Sequence, residues 1–399
     1  MRQVLAVLGV LVAVSAAAQT PPAGTTPAFV IQSDDGDNRL QLGALVQADA
    51  RFAIDDTQDR VVDAFTLRRL RAIAQGRVAR YFDFYVNMEF AGSGFNVRDA
   101  YFDTTFTPAF HLRAGKFKAP FSYTRLILAA NTLLGERGFT TNVAPDRDIG
   151  VQALGDLAGT RVSYAVALTN GVIDGGSSDG DVNDAKDVTA RAVARPWIQS
   201  PAHPLSGLGL AIAANSGTHG PALPSFASVG RQMFFSYAAG TEESGRRSRW
   251  SPQAFYYRGP LGAYAEYVRS RAAVAKDGAA GDIDHEAWQL LGSWVLTGEA
   301  ATERAVRPRV NFDPPSGHYG ALQVVARVER LAVSPEAISR GLAAPGASRT
   351  ADAWTAGLNW YLNPYVRWHV EFTRTIFDGD ANGPRHAENL LLARAQVGF

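Results

Sequence analysis

Apolar and polar side chains alternate every second residue along most of this chain. No later apolar run approaches the ~18 uninterrupted residues that a membrane-crossing helix needs. If the protein crosses a membrane, it crosses with strands. The carboxy-terminal residues show the pattern: Leu391, Ala393, Ala395, Val397 and Phe399 share one face, and Arg394 and Gln396 share the other. A soluble sandwich edge strand alternates in the same way, so the final strand alone leaves two readings open. The same period recurs upstream. Leu42, Ala44, Val46, Ala48 and Phe52 oppose Gln41, Gln47, Asp49 and Arg51, and Phe82, Phe84, Val86 and Met88 oppose Asp83, Tyr85, Asn87 and Glu89. Further runs centre on Asp99 to Phe106, Trp288 to Leu296, Leu322 to Glu329, Trp354 to Leu362 and Val366 to Phe372.

The apolar faces carry Trp288, Trp294, Trp354, Trp360 and Trp368 near strand ends, as aromatic girdles at two membrane interfaces require. Each tryptophan alone would suit a core. Their shared face with Leu and Val, opposite charge, points instead to outer-membrane lipid as the neighbour. At the amino end, Arg2, an apolar run from Val4 to Val14 and the small residues Ala16 and Ala18 read as a signal peptide over 1–18. Residues 19–28, rich in Pro, Thr and Gly, read as a flexible periplasmic lead-in, and 29–399 as one barrel domain. Short turns such as Leu362-Asn363-Pro364 alternate with long connections at 118–147, 174–187 and 333–349. At about 9–11 residues per strand, the predicted fold is an all-β, antiparallel transmembrane barrel of about sixteen strands.

Composition removes several functions. The chain has no cysteine, hence no disulfide, thiolate metal site or Cys nucleophile. Its net charge of +1 argues against nucleic acid as a partner. No Gly-Lys-Ser/Thr phosphate loop occurs, and the seven histidines are too scattered for a zinc site. No catalytic residue, metal or cofactor is expected. Asp179-Gly180-Asp181-Val182-Asn183 has part of a calcium-loop pattern without its distal glutamate, so a solvated loop is the expectation. A Ser-His pair around Ser216 and His219 is the remaining enzymatic alternative.

Five stretches resemble the phosphate-selective porins O and P of Gram-negative outer membranes: 65–71 (FTLRRLR), 114–121 (AGKFKAPF), 146–152 (DRDIGVQ), 293–299 (SWVLTGE) and 357–364 (GLNWYLNP). They span the chain from its first strands to its last. The resemblance implies a homotrimer of sixteen-stranded barrels in the cell outer membrane, with the third extracellular loop folded inward as a constriction. It also implies small, phosphate-like anions as solutes, arginines along the path, and Phe399 as the mark read by the outer-membrane assembly machinery.

Strand parity then assigns the lumen. With Leu70, Ala72, Ala74 and Val78 facing lipid, Arg69, Arg71, Gln75 and Arg77 form an inward row of donors, and guanidinium forks suit an oxyanion. Arg68 has the opposite parity and is either an interface residue or displaced by a bulge. Arg113 faces inward; Lys116 falls on the lipid parity unless the strand ends there, which Lys118-Ala119-Pro120 favours. The constriction loop is placed at 120–145, with Arg125, Glu136 and Arg137, and its apolar run 126–130 is expected to pack against the barrel wall. The predicted anion path is therefore Arg69, Arg71, Arg77, Arg113, Lys116, Lys118, Arg125 and Arg137. Glu89, Asp99, Arg327, Glu329, Arg367, His369, Glu371 and Arg394 are the other predicted luminal residues. Acids across the pore from arginines would create the transverse field of a general porin, so the functional alternatives are an anion porin, a non-selective porin for small hydrophilic solutes, and a barrel-anchored enzyme or adhesin.

Overall fold

A computed structural model describes residues 29–54, 62–92, 94–181, 183–378 and 385–399. The expected signal peptide and lead-in lie outside the described residues. The strands of the first half are β1 (Phe29–Gln32), β2 (Arg39–Ala53), β3 (Ala64–Val78), β4 (Phe82–Glu89), β5 (Asn96–Thr107), β6 (Phe110–Lys118), β7 (Arg147–Leu157), β8 (Val162–Thr169), β9 (Asp187–Ala194) and β10 (Leu208–Thr218). Those of the second half are β11 (Phe226–Ala227), β12 (Met233–Phe235), β13 (Thr241–Arg258), β14 (Leu261–Lys276), β15 (Ala279–Val295), β16 (Ala321–Val333), β17 (Thr350–Tyr361), β18 (Val366–Phe377) and β19 (Glu388–Gly398).

β2 to β10 and β13 to β19 pair antiparallel, each with its neighbour, and β19 pairs with β2, so sixteen strands close on themselves and leave no edge. Closure is completed from both ends of the chain. β19 runs along β2 as far as Gly398 opposite Leu45, and β1 takes over the same edge from Leu42 to Arg39. The rings of Phe29 and Phe399 meet there at 5.8 Å. β11 and β12 form a separate hairpin within the 219–240 connection.

The alternation in the sequence becomes alternation across the wall. In β18, Arg367, His369 and Glu371 are buried toward the interior, whereas Trp368 and Val370 are exposed. Outward tryptophans sit at two levels: Trp250, Trp288 and Trp354 toward the long-loop end, Trp294, Trp360 and Trp368 toward the short-turn end. The two ends are asymmetric, as periplasmic turns and extracellular loops are in such barrels. Short turns join β3–β4, β5–β6, β7–β8, β13–β14 and β17–β18. Two connections depart from the expected rule, because 195–207 and 296–320 are long yet lie at the short-turn end. At the other end β14 and β15 are joined tightly by Asp277 (φ 50°) and Gly278 (φ 80°), the left-handed pair a two-residue hairpin needs.

The interior is filled on one side only. Phe121, Phe139 and Val143 of the 119–146 loop pack with Phe226, Val229, Phe234 and Phe235 of the 219–240 connection against inward Val268, Ile283, Leu331 and Phe377. Below them, Tyr123, Leu133 and Leu134 pack on Phe255, Tyr264 and Leu291, and Ala301 and Val306 of the 296–320 connection pack on Val295 and Tyr361. Each large side chain so buried contributes about 1.5–3 kcal/mol, enough to hold these loops inside the barrel. The β13–β19 half is thereby occupied, and open space remains beside β2 to β7.

Candidate permeation path

Two irregularities bring arginines inward that regular alternation would send to lipid. Between β2 and β3, Gln47 pairs with Arg69 while Ala48 pairs with Leu67, leaving Arg68 as the extra residue of a bulge. Between β4 and β5, Asn87 pairs with Asp99 while Met88 pairs with Val97, leaving Arg98 in the same position. Arg68 donates to Glu136 at 2.6 and 3.0 Å, and Arg98 donates to Asp146 at 2.9 Å, both acids belonging to the 119–146 loop. The bulge alternative for Arg68 is thus the one that holds. Arg98 was missed because nothing in the spacing around it marks the extra residue.

Two large cavities lie among the described residues. One, of about 590 Å³, opens at the short-turn end and reaches Arg39, Arg71, Arg77, Arg113, Lys118 and Arg147. The other, of about 730 Å³, opens at the long-loop end. Its wall holds eight arginines, Arg68, Arg69, Arg71, Arg98, Arg125, Arg137, Arg147 and Arg231, against three acids, Glu89, Glu136 and Asp146. Arg71 and Arg147 belong to both walls, which places the junction of the two cavities between them. Arg147 opens β7 opposite Lys118 and was also missed, since it precedes any alternation that could orient it.

The 119–146 loop is the third long-end connection, and the inward residues of β13 to β19 grip its backbone. Glu266 accepts from Tyr123 N–H at 2.9 Å, Glu371 from Gly135 N–H at 2.9 Å and Glu329 from Phe139 N–H at 2.6 Å. Loop carbonyls are met by Arg367 (Thr132, 2.9 Å), Arg394 (Gly135, 2.8 Å), Arg327 (Glu136, 2.9 Å) and Asn359 (Leu133, 2.9 Å). The loop comes so close at Gly138 that a Cβ there would stand 2.2 Å from Gln289 Oε1. Arg327, Glu329, Arg367, His369, Glu371 and Arg394 therefore face inward, as parity requires, but are almost fully buried beneath the loop and line neither cavity. His369 bridges Asn359 (3.0 Å) and Glu371 (2.7 Å), and Asp49 takes both forks of Arg394. Their chemistry is anchorage, which alternation cannot distinguish from pore lining.

Lys116 also departs from the predicted path. It keeps the outward parity, opposite Ala100 and Ile149, and binds Asp179 of the 170–186 connection. Lys118 is inside, donating to Leu126 O and Ile127 O at 3.1 and 3.0 Å. Leu126, Leu128 and Ala130 are half-buried and border the short-turn cavity, so the run expected against the wall is shared between wall and lumen. Ser216 takes the lipid-side parity while His219 turns to Asp187 at 2.7 Å, so the two form no nucleophilic pair.

Charges within the path pair sideways along one wall. Arg71 bonds Glu89 (2.7 Å), Arg77 bonds Asp83 (2.8 Å), Arg113 bonds Asp103 (2.7 Å) and Arg147 bonds Asp99 (2.9 Å). The transverse field expected from acids facing arginines is absent among these pairs. Arg39, Arg69, Lys118, Arg137 and Arg231 have no carboxylate partner among the described residues, so the surplus charge is positive. Within the loop, burial raises the Glu136 carboxyl, but the charge and hydrogen bonds of Arg68, with Arg69 and Arg394 behind it, hold it well below the usual range. Asp146 is held low against the same burial by Arg125, Arg147 and Arg98. Burial and the nearby Arg125 draw the Arg137 guanidinium down to about 9.

A closed sixteen-stranded barrel with a lipid-suited exterior, a polar interior and a loop folded across its lumen is a porin. The chain belongs to the phosphate-selective porin O and P family, whose description matches residues 40–399, and this places it in the outer membrane of a Gram-negative bacterium. Among solved structures, the outer-membrane channel DcaP of Acinetobacter baumannii matches with a TM-score of 0.58 at 13% identity, over 92% of this chain and 99% of that one. The anion-selective porin from Comamonas acidovorans matches with a TM-score of 0.58 at 12% identity, over 91% and 100%. OmpT of Vibrio cholerae matches with a TM-score of 0.58 at 10% identity, over 93% and 100%. At such identities the likeness is one of fold. No curated protein sequence matches the chain.

Proposed function

We propose that this porin passes small oxyanions, phosphate and its relatives, through the junction between Arg71 and Arg147. The observation that carries the reading is the unbalanced wall of the long-loop cavity, eight arginines against three acids. A low-dielectric cleft lined by one sign of charge raises the local concentration of the opposite ion. Arg71 is tied to Glu89 through Nε, and Arg147 to Asp99 and Asp146, which fixes both guanidinium groups; the N–H groups outside these pairs, most of them on Arg71, meet a passing anion. Two such contacts bind an oxyanion without trapping it, as conduction requires. The family assignment favours a channel over an enzyme, and a homotrimer and recognition of Phe399 during assembly are part of the same proposal.

The second reading, a non-selective porin, draws on the four sideways ion pairs, which neutralise much of the β3–β7 wall. Reversal potential in a planar bilayer under a potassium chloride gradient separates the two. The expected sign is that of an anion-preferring pore, and phosphate is expected to reduce chloride current. A cation-preferring sign sinks the proposal, and a potential near zero favours the non-selective pore.

A further inference from the structure

The short-turn cavity has a character that hydrated phosphate does not use. On its loop side and along β3 stand Ile73, Leu126, Leu128 and Ala130, an apolar strip inside a water-filled lumen, backed by the buried Leu45 of β2. Leu45 and Ala130 adjoin, since Leu45 Cδ1 and Ala130 Cβ lie 3.3 and 3.9 Å from where a Cβ on Gly398 would stand. On β4 and β5, Tyr85 and Tyr101 stack with ring centroids 5.5 Å apart, and the Arg113 guanidinium lies 4.0 Å above the Tyr101 ring. Apolar surface exposed to water is costly and is seldom grouped in this way without a ligand to cover it. The combination of an apolar strip, flat rings and fixed cations in about 590 Å³ has the size and lining of a small-molecule site.

We infer that the short-turn vestibule binds organic carboxylates with a flat apolar body, its cations holding the carboxylate while the apolar strip and tyrosine faces cover the body. This rests on the anion-conducting reading and names a solute class within it. An inorganic ion meets only the arginines and Lys118. An aromatic carboxylate meets both surfaces, and burial of one ring adds roughly a tenfold gain in affinity over acetate, which has the same charged group. Arg71 and Arg147 then stand at the far end of the same vestibule as the barrier the bound solute crosses next.

The test compares benzoate, acetate and inorganic phosphate as blockers of chloride current through single channels at neutral pH. Benzoate is expected to block at least about tenfold more tightly than acetate. In the double variant Leu128→Asn with Ile73→Asn, this advantage is expected to shrink to within about threefold, while phosphate block and chloride conductance stay unchanged. Unchanged chloride conductance also shows that the variant channel is intact. Where the double variant does not insert, the benzoate-to-acetate ratio of the unmodified channel decides. An anion-preferring channel in which benzoate and acetate block alike overturns this inference alone. A variant that weakens phosphate and benzoate block equally overturns it too, because charge alone would then explain both. Cation preference in the unmodified channel overturns the anion reading and this inference with it.

Discussion

On the proposed path selectivity turns on Arg71 and Arg147, and alternation made only one of them visible. Arg71 sits in a regular stretch of β3 between Leu70 and Ala72, so its parity could be read directly. Arg147 opens its strand, and Arg68 and Arg98 are the extra residues of bulges, so for these three parity fails for a stated physical reason. A bulge shifts the register without leaving a compositional trace, whereas it leaves a clear one in the pairing. Replacing Arg71 and Arg147 together by Gln removes two positive charges from the junction and leaves Glu89 and Asp99 uncompensated there. The anion-to-cation permeability ratio is expected to fall by at least about threefold, with little change in conductance. A ratio unaltered within error, read from the reversal potential of the double variant, would remove both residues from the path.

The 119–146 loop was legible as an element and illegible in its attachments. The family resemblance implies an inward third loop, and length, position after the fifth barrel strand and the charges Arg125, Glu136 and Arg137 place it here. Parity alone assigns the wall residues that grip it to the pore lining, because a carboxylate that accepts a loop N–H and one that faces water share the same parity. The distinction has a consequence for pH. Glu136 is a carboxyl held below its ordinary value of 4.5, so the stability it contributes is fully present above that value. That stability disappears only as the pH falls through the much lower folded value. The Arg68–Glu136 attachment of the loop is therefore expected to persist from neutral pH down to about pH 4, a range in which exposed carboxylates already begin to protonate. Single-channel conductance and current noise should be flat over that interval. Glu136→Gln, which keeps the shape and removes the charge, loses the ionic part of its bonds to Arg68, about 1.5–3 kcal/mol, and should raise current noise even at pH 7. A steep conductance change between pH 6 and 4 in the unmodified channel would contradict this account.

At the scale of the whole molecule, the lipid-suited exterior followed from alternation and the strand number from chain length, but the division of the lumen followed from neither. Alternation reports two sides of a wall and cannot say which arc of the inner side is dry. The signal lay in the connections: Phe226, Val229, Phe234 and Phe235 are too apolar for a solvated extracellular loop, as are Ala301 and Val306 for a solvated turn. These segments fold in and occupy the β13–β19 half, so that the open space lies beside β2 to β7. The 219–240 connection closes the long-loop end of that filling and brings Val229 and Arg231 to the edge of the cavity. Arg51 donates to Val229 O at 3.3 Å and so ties the connection to β2. Replacing residues 222–236 by a short Gly-Ser linker removes the apolar wedge while leaving the 119–146 loop with its own anchors on β14 to β19. Conductance is expected to rise, by less than about twofold because the junction at Arg71 and Arg147 still limits flow, and anion preference should persist. A much larger rise with loss of selectivity would mean that the 219–240 connection, and not the grip of the wall, keeps the constriction loop in place.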